Sequence, residues 1–512
     1  MDSLYGFPVY LHIKKHKMKL KIETLTPIHI GSGRELLAET EYLFFDKERK
    51  VVLVDDKKVL DIVGVEHIPK WVAIIERGES LLYYLQSRKK GLKPVDIAKR
   101  IIAVPDQGPK KEQMREQMHD GMGRALLPGS SIKGSIRTAI STSLIEEAGP
   151  DINRYIEVKE NRRSGKPELK SGQLKTFLTY PGVKSGVLPN KDIFRLIRPG
   201  DVSFHSTEVF RSTNLNKQHK GWQEDSRLST FLECIPKGQV NIMTMTKPDQ
   251  SLLKYLDRKD SRSPFREGFV ERFTSWENIS TIVNAHTTKL LQQEITFWEN
   301  EGYSGVGTYL ENLRKIMSQL EKLAAGTCII RVGFGGGVNW MTGGWQEDLM
   351  DENKLDIWYR SFRKAAPRLA FPKTRKFSPD GQPLGFLKIS PIQSDSELAE
   401  VKALVGRQKA QIQEGLLTVV APAPTIPTEP LKAEFQPADA KIKKGSLLEA
   451  FVLPEGKGKK VKPVTVYGRE GEEYSLSIRF AADQIVEKPI IVKVVDMKAG
   501  KVTAVQFIKP KS

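Results

Sequence analysis

Apolar and polar residues alternate from Met18 to Glu23 (MKLKIE), a period of two that predicts a first β-strand. Thr26, Pro27 and an expected turn at Gly31, Ser32 and Gly33 follow it. Residues 42–45 (YLFF) and 51–54 (VVLV), separated by a charged turn, read as a hairpin. The period then lengthens, and residues from about Lys57 to Ile102 read as mostly helical. A polar stretch from about Asp106 to Gly123 has little periodicity and is expected to be a mobile loop. Beyond it, in residues 127–137 (LPGSSIKGSIR), Pro128 and Gly129 make a turn and Ser130 or Ser131 is the expected N-cap. The helix it opens places Ile132, Ile136, Ile140 and Leu144 on one face.

A basic, Gly- and Pro-punctuated insertion follows, with Arg162, Arg163, Lys166 and Lys170 ahead of Tyr180 and Pro181. Strands are expected around 192–197, 229–235 and 240–246. Residues 275–323 are helical in pattern, with Tyr309, Leu313, Met317 and Leu320 on one face. A β-rich run at 327–332 enters a second glycine-dense loop, residues 333–337 (GFGGG). A strand at 386–389 closes this part, and 394–413 reads as a helix. The Pro-rich stretch 421–430 (APAPTIPTEP) cannot form helix or central strand and predicts a stiff linker. Five β runs beyond it suggest a small β-barrel of OB-like type, with Lys457, Lys459 and Lys460 in its first turn. The expected domains are 1–395, with a helical insert at about 240–325, a helix and linker at 396–435, and the barrel at 436–512.

Charge narrows the partners. The 512 residues carry a formal net charge of +19, which points to an extended acidic partner, nucleic acid first. An anionic membrane surface is the rival, but no apolar run is long enough to span a bilayer and the N-terminus lacks a signal-peptide core. A cytoplasmic protein with no membrane partner is expected. Cys234 and Cys328 are too few for a disulfide framework or a Cys-rich zinc site and read as small apolar residues near strands. His12 and His16 have His-x-x-x-His spacing without the Glu of a zinc motif and read as chance. No metal or other cofactor is expected.

The helix start at 127–137 supplies free backbone N–H groups, and Lys133 and Arg137, four apart, add charge on the same side. The segment suits a phosphate; an ordinary cap with two surface cations is the other reading. It is not a nucleotide P-loop, because Lys133 precedes Gly134. The loop 333–337 lets a ligand approach its backbone, and Trp340 and Trp345 just beyond it could stack bases or pack beneath it. Asp201, close to Arg195 and Arg198, reads as half of a structural ion pair.

Four segments occur in one order: TLTPIHIGSG (24–33), LPGSSIKGSIR, the 333–337 loop and PLGF (383–386). With FRL (194–196) before Asp201, and ECIP (233–236) before Gly238, this order resembles the RAMP proteins of CRISPR systems. Within them it is similar to the type III-A (Csm) subunit that caps the crRNA 3′ end, over about residues 18–390. The resemblance implies an α+β protein with an RRM-like (ferredoxin-like) core carrying insertions, followed here by the small all-β domain. It implies that Gly31, Ser32, Gly33, Ser130, Ser131, Lys133, Arg137, Gly333, Gly335, Gly336 and Gly337 contact crRNA. It also implies as partners crRNA, the backbone and small subunits of the complex, and target RNA near the distal end. Some such relatives cleave crRNA precursors through a histidine, and His29 is the candidate here. No general acid is evident beside it, so a binding subunit without a catalytic residue is expected. The alternatives are a crRNA-maturing endoribonuclease, or a scaffold whose C-terminal domain recruits a host nuclease.

Overall fold

The computed structural model describes residues 17–174, 192–218, 221–246, 272, 275–362 and 374–415, and the backbone of five C-terminal strands between 447 and 510. The chain divides into two units, Met1–Pro424 and Thr425–Ser512. Among the described residues, no helix is long and apolar enough to cross a membrane.

The alternation at the start of the chain does form a strand, Lys17–Thr24, with Leu20 and Ile22 fully buried. It lies in the middle of an antiparallel sheet ordered Arg198–Pro199, Val240–Thr246, Lys17–Thr24, Phe386–Pro391, Cys328–Arg331. The helix Gly129–Ala148 and the first half of Trp276–Glu301, through Trp276, Ile279 and Val283, cover one face. Ile132, Ile136, Ile140 and Leu144 pack there with Met243, Cys328 and Ile389, the four-residue spacing placing all of them in the core. The opposite face packs Ile329 and Phe386 against Trp298, Tyr309 and Leu313. Cys234 and Cys328 are free, buried thiols on strands.

A second, mixed sheet of seven strands runs Gly31–Leu36, Met114–Gln117, Phe231–Cys234, Glu208–Arg211, Ala98–Ala103, Lys50–Val54, Tyr42–Phe45. Several expectations change here. Gly31, Ser32 and Gly33 belong to an irregular edge strand whose register shifts before Glu35, not to a turn. The helical stretch ends at Arg88, and Ala98–Ala103 is a strand paired with Lys50–Val54. The expected mobile loop contains the strand Met114–Gln117, held between two others by ladders from distant chain. A short 3-10 turn, Ile193–Leu196, stands where a strand was expected, because Asp192 caps it at the Phe194 N–H, 2.9 Å away. The insertion around Arg162 is a hairpin, Glu157–Glu160 with Pro167–Lys170.

The helix Asp395–Gly415 reaches the first sheet, where Gln408 accepts from the Val240 N–H and donates to the Gly238 carbonyl. In the second unit the strands close in the order Leu447–Val452, Pro463–Val466, Glu473–Leu476, Lys501–Pro510, Pro489–Lys498. Only the pair Glu473–Leu476 and Lys501–Pro510 is parallel. The Pro-rich stretch 421–430, His12, His16, Tyr180, Pro181, Lys457, Lys459 and Lys460 lie outside the described residues.

Candidate nucleic-acid interface

Three of the glycine-bearing segments meet backbone to backbone. Phe334 donates its N–H to the His29 carbonyl at 2.9 Å, Gly385 to the Pro27 carbonyl at 2.9 Å, and Val332 to the Gly385 carbonyl at 2.8 Å. Glycine is required at two of these crossings. A Cβ on Gly333 (φ +73°) would lie 2.4 Å from the His29 carbonyl oxygen, and one on Gly385 (φ +94°) 2.1 Å from that of Val332. Gly31 and Gly33 are exposed beside His29, and Gly333 and Gly337 are exposed on the facing loop, with Gly335 and Gly336 half-buried between them. The strand that leads into the fourth segment joins through Gln117, whose side chain accepts from the Ile30 N–H at 2.8 Å and donates to the Leu126 carbonyl at 2.9 Å.

Beneath this crossing lies a buried ionic hub. His29 is 2% exposed, and its Nδ1–H donates to the Glu233 carbonyl at 2.6 Å. Burial holds His29 below its ordinary pKa against the pull of Glu233, so the ring is neutral and tied by one nitrogen. The Glu233 carboxylate is fully buried and accepts from both Arg100 nitrogens and from the Gln117 N–H. Burial opposes its ionisation, yet Arg100 and His119 hold it down to about 2. Arg100 also lies 3.6 Å from Glu116, which accepts from the Ser32 hydroxyl at 3.0 Å. Ser32 is therefore engaged by an acid of its own sheet.

Cations gather over the loop. Phe334 is half-buried, edge-on to His29, with Arg115 at 5.4 Å and Lys376 at 4.7 Å from its ring centre. Burial lowers the Lys376 pKa, and the neighbouring Arg115 charge adds to that. Phe334, rather than the tryptophans, is the ring presented at the loop: Trp345 is 4% exposed in the core, and Trp340 packs edge-on against Phe386. Arg115, Gln117, Arg331 and Lys376 escape a sequence reading, because nothing local to them marks a shared site. The order of the glycine segments was the available signal.

The helix start is built differently from expectation. Its N-cap is Pro128, and Ser130 and Ser131 both lie inside the first turn. The Gly129 N–H donates to Asp201 Oδ1 at 2.8 Å, which seats the Asp201 carboxylate on the helix start. Gly129 is needed because a Cβ would lie 2.2 Å from the Pro199 carbonyl oxygen. Lys133 and Arg137 do share a side. Burial lowers the Lys133 pKa, Asp192 opposes it, and Arg137 and Arg198 add to it. Arg137 lies 3.1 Å from Asp192 and 4.9 Å from the Phe194 ring centre. Among the described residues, no three His, Cys, Asp or Glu side chains are grouped to hold a metal ion.

The family model of the RAMP superfamily matches residues 21–366. The chain belongs to the RAMP superfamily. No curated protein matches this RAMP chain. Its fold is similar to that of a chain in a cryo-EM structure of a Csm–crRNA–target RNA ternary complex of a type III-A CRISPR-Cas system. The two are 19% identical with a TM-score of 0.50, and the match covers 73% of this RAMP chain and 100% of the other. It is also similar to Csm5 of T. onnurineus, known from a crystal structure, at 17% identity and a TM-score of 0.46, covering 72% and 99% of the two chains.

Proposed function

We propose that this RAMP protein is an RNA-binding subunit of a type III-A CRISPR effector complex, seated on the 3′ region of the crRNA. The observation that carries the reading is the crossing of the glycine segments under Arg115, Lys376 and Phe334. There, exposed backbone, two unlike cations and a half-exposed ring meet at one place, the combination that suits a phosphodiester strand with little base readout. In this reading the first sheet is a ferredoxin-like core. Taking Lys17–Thr24, Arg198–Pro199, Val240–Thr246 and Phe386–Pro391 as strands one to four gives the order 4-1-3-2, with Cys328–Arg331 added at the edge and a helix in each crossover. The C-terminal strand order 1-2-3-5-4, closed, with three and five parallel, supports an OB-like barrel.

The protein binds rather than cuts RNA: His29, the one catalytic candidate, is buried, neutral and committed to a backbone carbonyl. Its partners are crRNA, the neighbouring Csm subunits and target RNA near the distal end, in the cytoplasm. Fluorescence anisotropy with labelled crRNA over a salt series tests the binding, and a 3′-exonuclease footprint on the reconstituted complex tests its place. Affinity that barely changes with salt, or an unprotected 3′ end, refutes the reading. Incubation with labelled crRNA precursor, with and without chelator, tests for cleavage, and cut product refutes the non-catalytic part.

A further inference from the structure

We propose that Arg331 is a positioning residue, a buried clamp that presets the 333–337 loop for RNA; this deepens the reading of that loop as an RNA contact and rests on it. Arg331 ends the edge strand Cys328–Arg331, whose other residues are apolar or small and buried. It is itself 7% exposed, and burying a guanidinium is costly enough that an apolar residue would serve the strand better. What the arginine adds is reach. Its Nε donates to the Leu384 carbonyl at 2.8 Å and its Nη2 to the Gly335 carbonyl at 3.1 Å, so one planar fork spans two of the family segments.

Two aromatic rings flank the fork. The Trp340 and Phe386 rings lie 5.2 Å and 4.9 Å from the guanidinium carbon. Without an ion pair to Arg331, the Glu294 carboxylate still favours its charge from nearby; Glu294 itself is bonded to Arg375 at 2.6 Å and accepts from Tyr309 and Trp298. One carboxylate thus offsets two guanidinium groups while pairing with Arg375 alone.

The consequence for the loop follows from peptide geometry. In a trans peptide the C=O and the next N–H point opposite ways, so drawing the Gly335 carbonyl inward turns the Gly336 N–H to the other side. Gly335 holds φ +92°, a backbone conformation that strains any other L residue, and a Cβ there would also press on Leu384 Cδ1 at 3.1 Å. The clamp therefore fixes an outward amide on a glycine loop that would otherwise sample many conformations.

The test uses the full chain, labelled crRNA and a salt series, comparing wild type, Arg331→Lys and Lys376→Ala. Lysine keeps the charge and loses the fork. Arg331→Lys is expected to weaken binding about tenfold, the usual effect of losing a charge-assisted bond. Its slope of log affinity against log salt should stay unchanged, because it holds carbonyls and not phosphates. Lys376→Ala should lower that slope by about 0.7. Hydrogen–deuterium exchange should rise in residues 333–338 of Arg331→Lys and stay unchanged in 17–24. Wild-type affinity in Arg331→Lys, a reduced slope, or exchange raised throughout the sheet each overturns the proposal. A wild-type chain that shows no salt-dependent crRNA binding instead overturns the function proposed above.

Discussion

Glu233→Gln removes the charge of the buried hub and one of its two acceptor oxygens: the amide oxygen can still accept from Arg100 or Gln117, while the amide nitrogen meets a donor. The carboxyl is held at about 2 in the folded chain against 4.5 for a free glutamate. That difference corresponds to about 3 kcal/mol of stability at neutral pH. The shift is downward, so this contribution is complete above the unfolded pKa and fades as pH falls from about 4.5 towards 2. Urea unfolding followed by tryptophan fluorescence measures it on the larger unit alone, since all seven tryptophans precede residue 425. The variant should lose about 3 kcal/mol at pH 7, and the gap to wild type should close on acidification. Joint replacement by Arg100→Met and Glu233→Leu should cost less than the sum of the single changes, because no buried charge is left unpaired. A Glu233→Gln loss under about 1 kcal/mol at pH 7, or a gap that widens in acid, would refute this account of the hub.

Gly333→Ala forces a Cβ against the His29 carbonyl at a positive φ, and should cost more than about 1 kcal/mol in the same unfolding assay while weakening crRNA binding. Lys133→Ala and Arg137→Ala together should weaken binding to RNAs of any sequence and lower the salt slope by about 1.4, read by anisotropy; an unchanged slope removes both from the interface. Truncation after Pro424 should leave crRNA binding by the larger unit in place, and loss of a co-purifying protein on truncation would assign the barrel to recruitment.

Local periodicity was legible wherever one face meets the core. Leu20 and Ile22, or Ile132 through Leu144, are buried by the sheet and helix their own spacing predicts. Met114–Gln117 was not, because four residues are too few to show a period and their strand exists through ladders to Leu36 and Phe231. The site divides the same way. The glycine segments could be ordered from sequence, but their crossing depends on Glu233, some 200 residues from His29, and on Arg331, which looks like an ordinary strand-end arginine until Gly335 and Leu384 are brought to it. Ser130 and Ser131 offered good local caps, yet the cap that forms comes from Asp201, 72 residues on, because the strand at Pro199 presses against Gly129.

That distant cap changes how the helix start can take a phosphate. The Gly129 amide, already bonded to a carboxylate, is not free for RNA, so attraction at the helix start rests more on Lys133 and Arg137, with the Asp192 and Asp201 carboxylates opposing it. Asp201→Asn separates the two effects. Asparagine caps as well as aspartate, so the bond to Gly129 and the stability should persist within about 0.5 kcal/mol. Removing this negative charge from the start of the helix that carries Lys133 and Arg137 should then tighten crRNA binding at low salt, with the gain shrinking as salt rises. Weaker binding by a stably folded Asp201→Asn chain would mean that the carboxylate works with the RNA and not against it, and the electrostatic account of the helix start would fail.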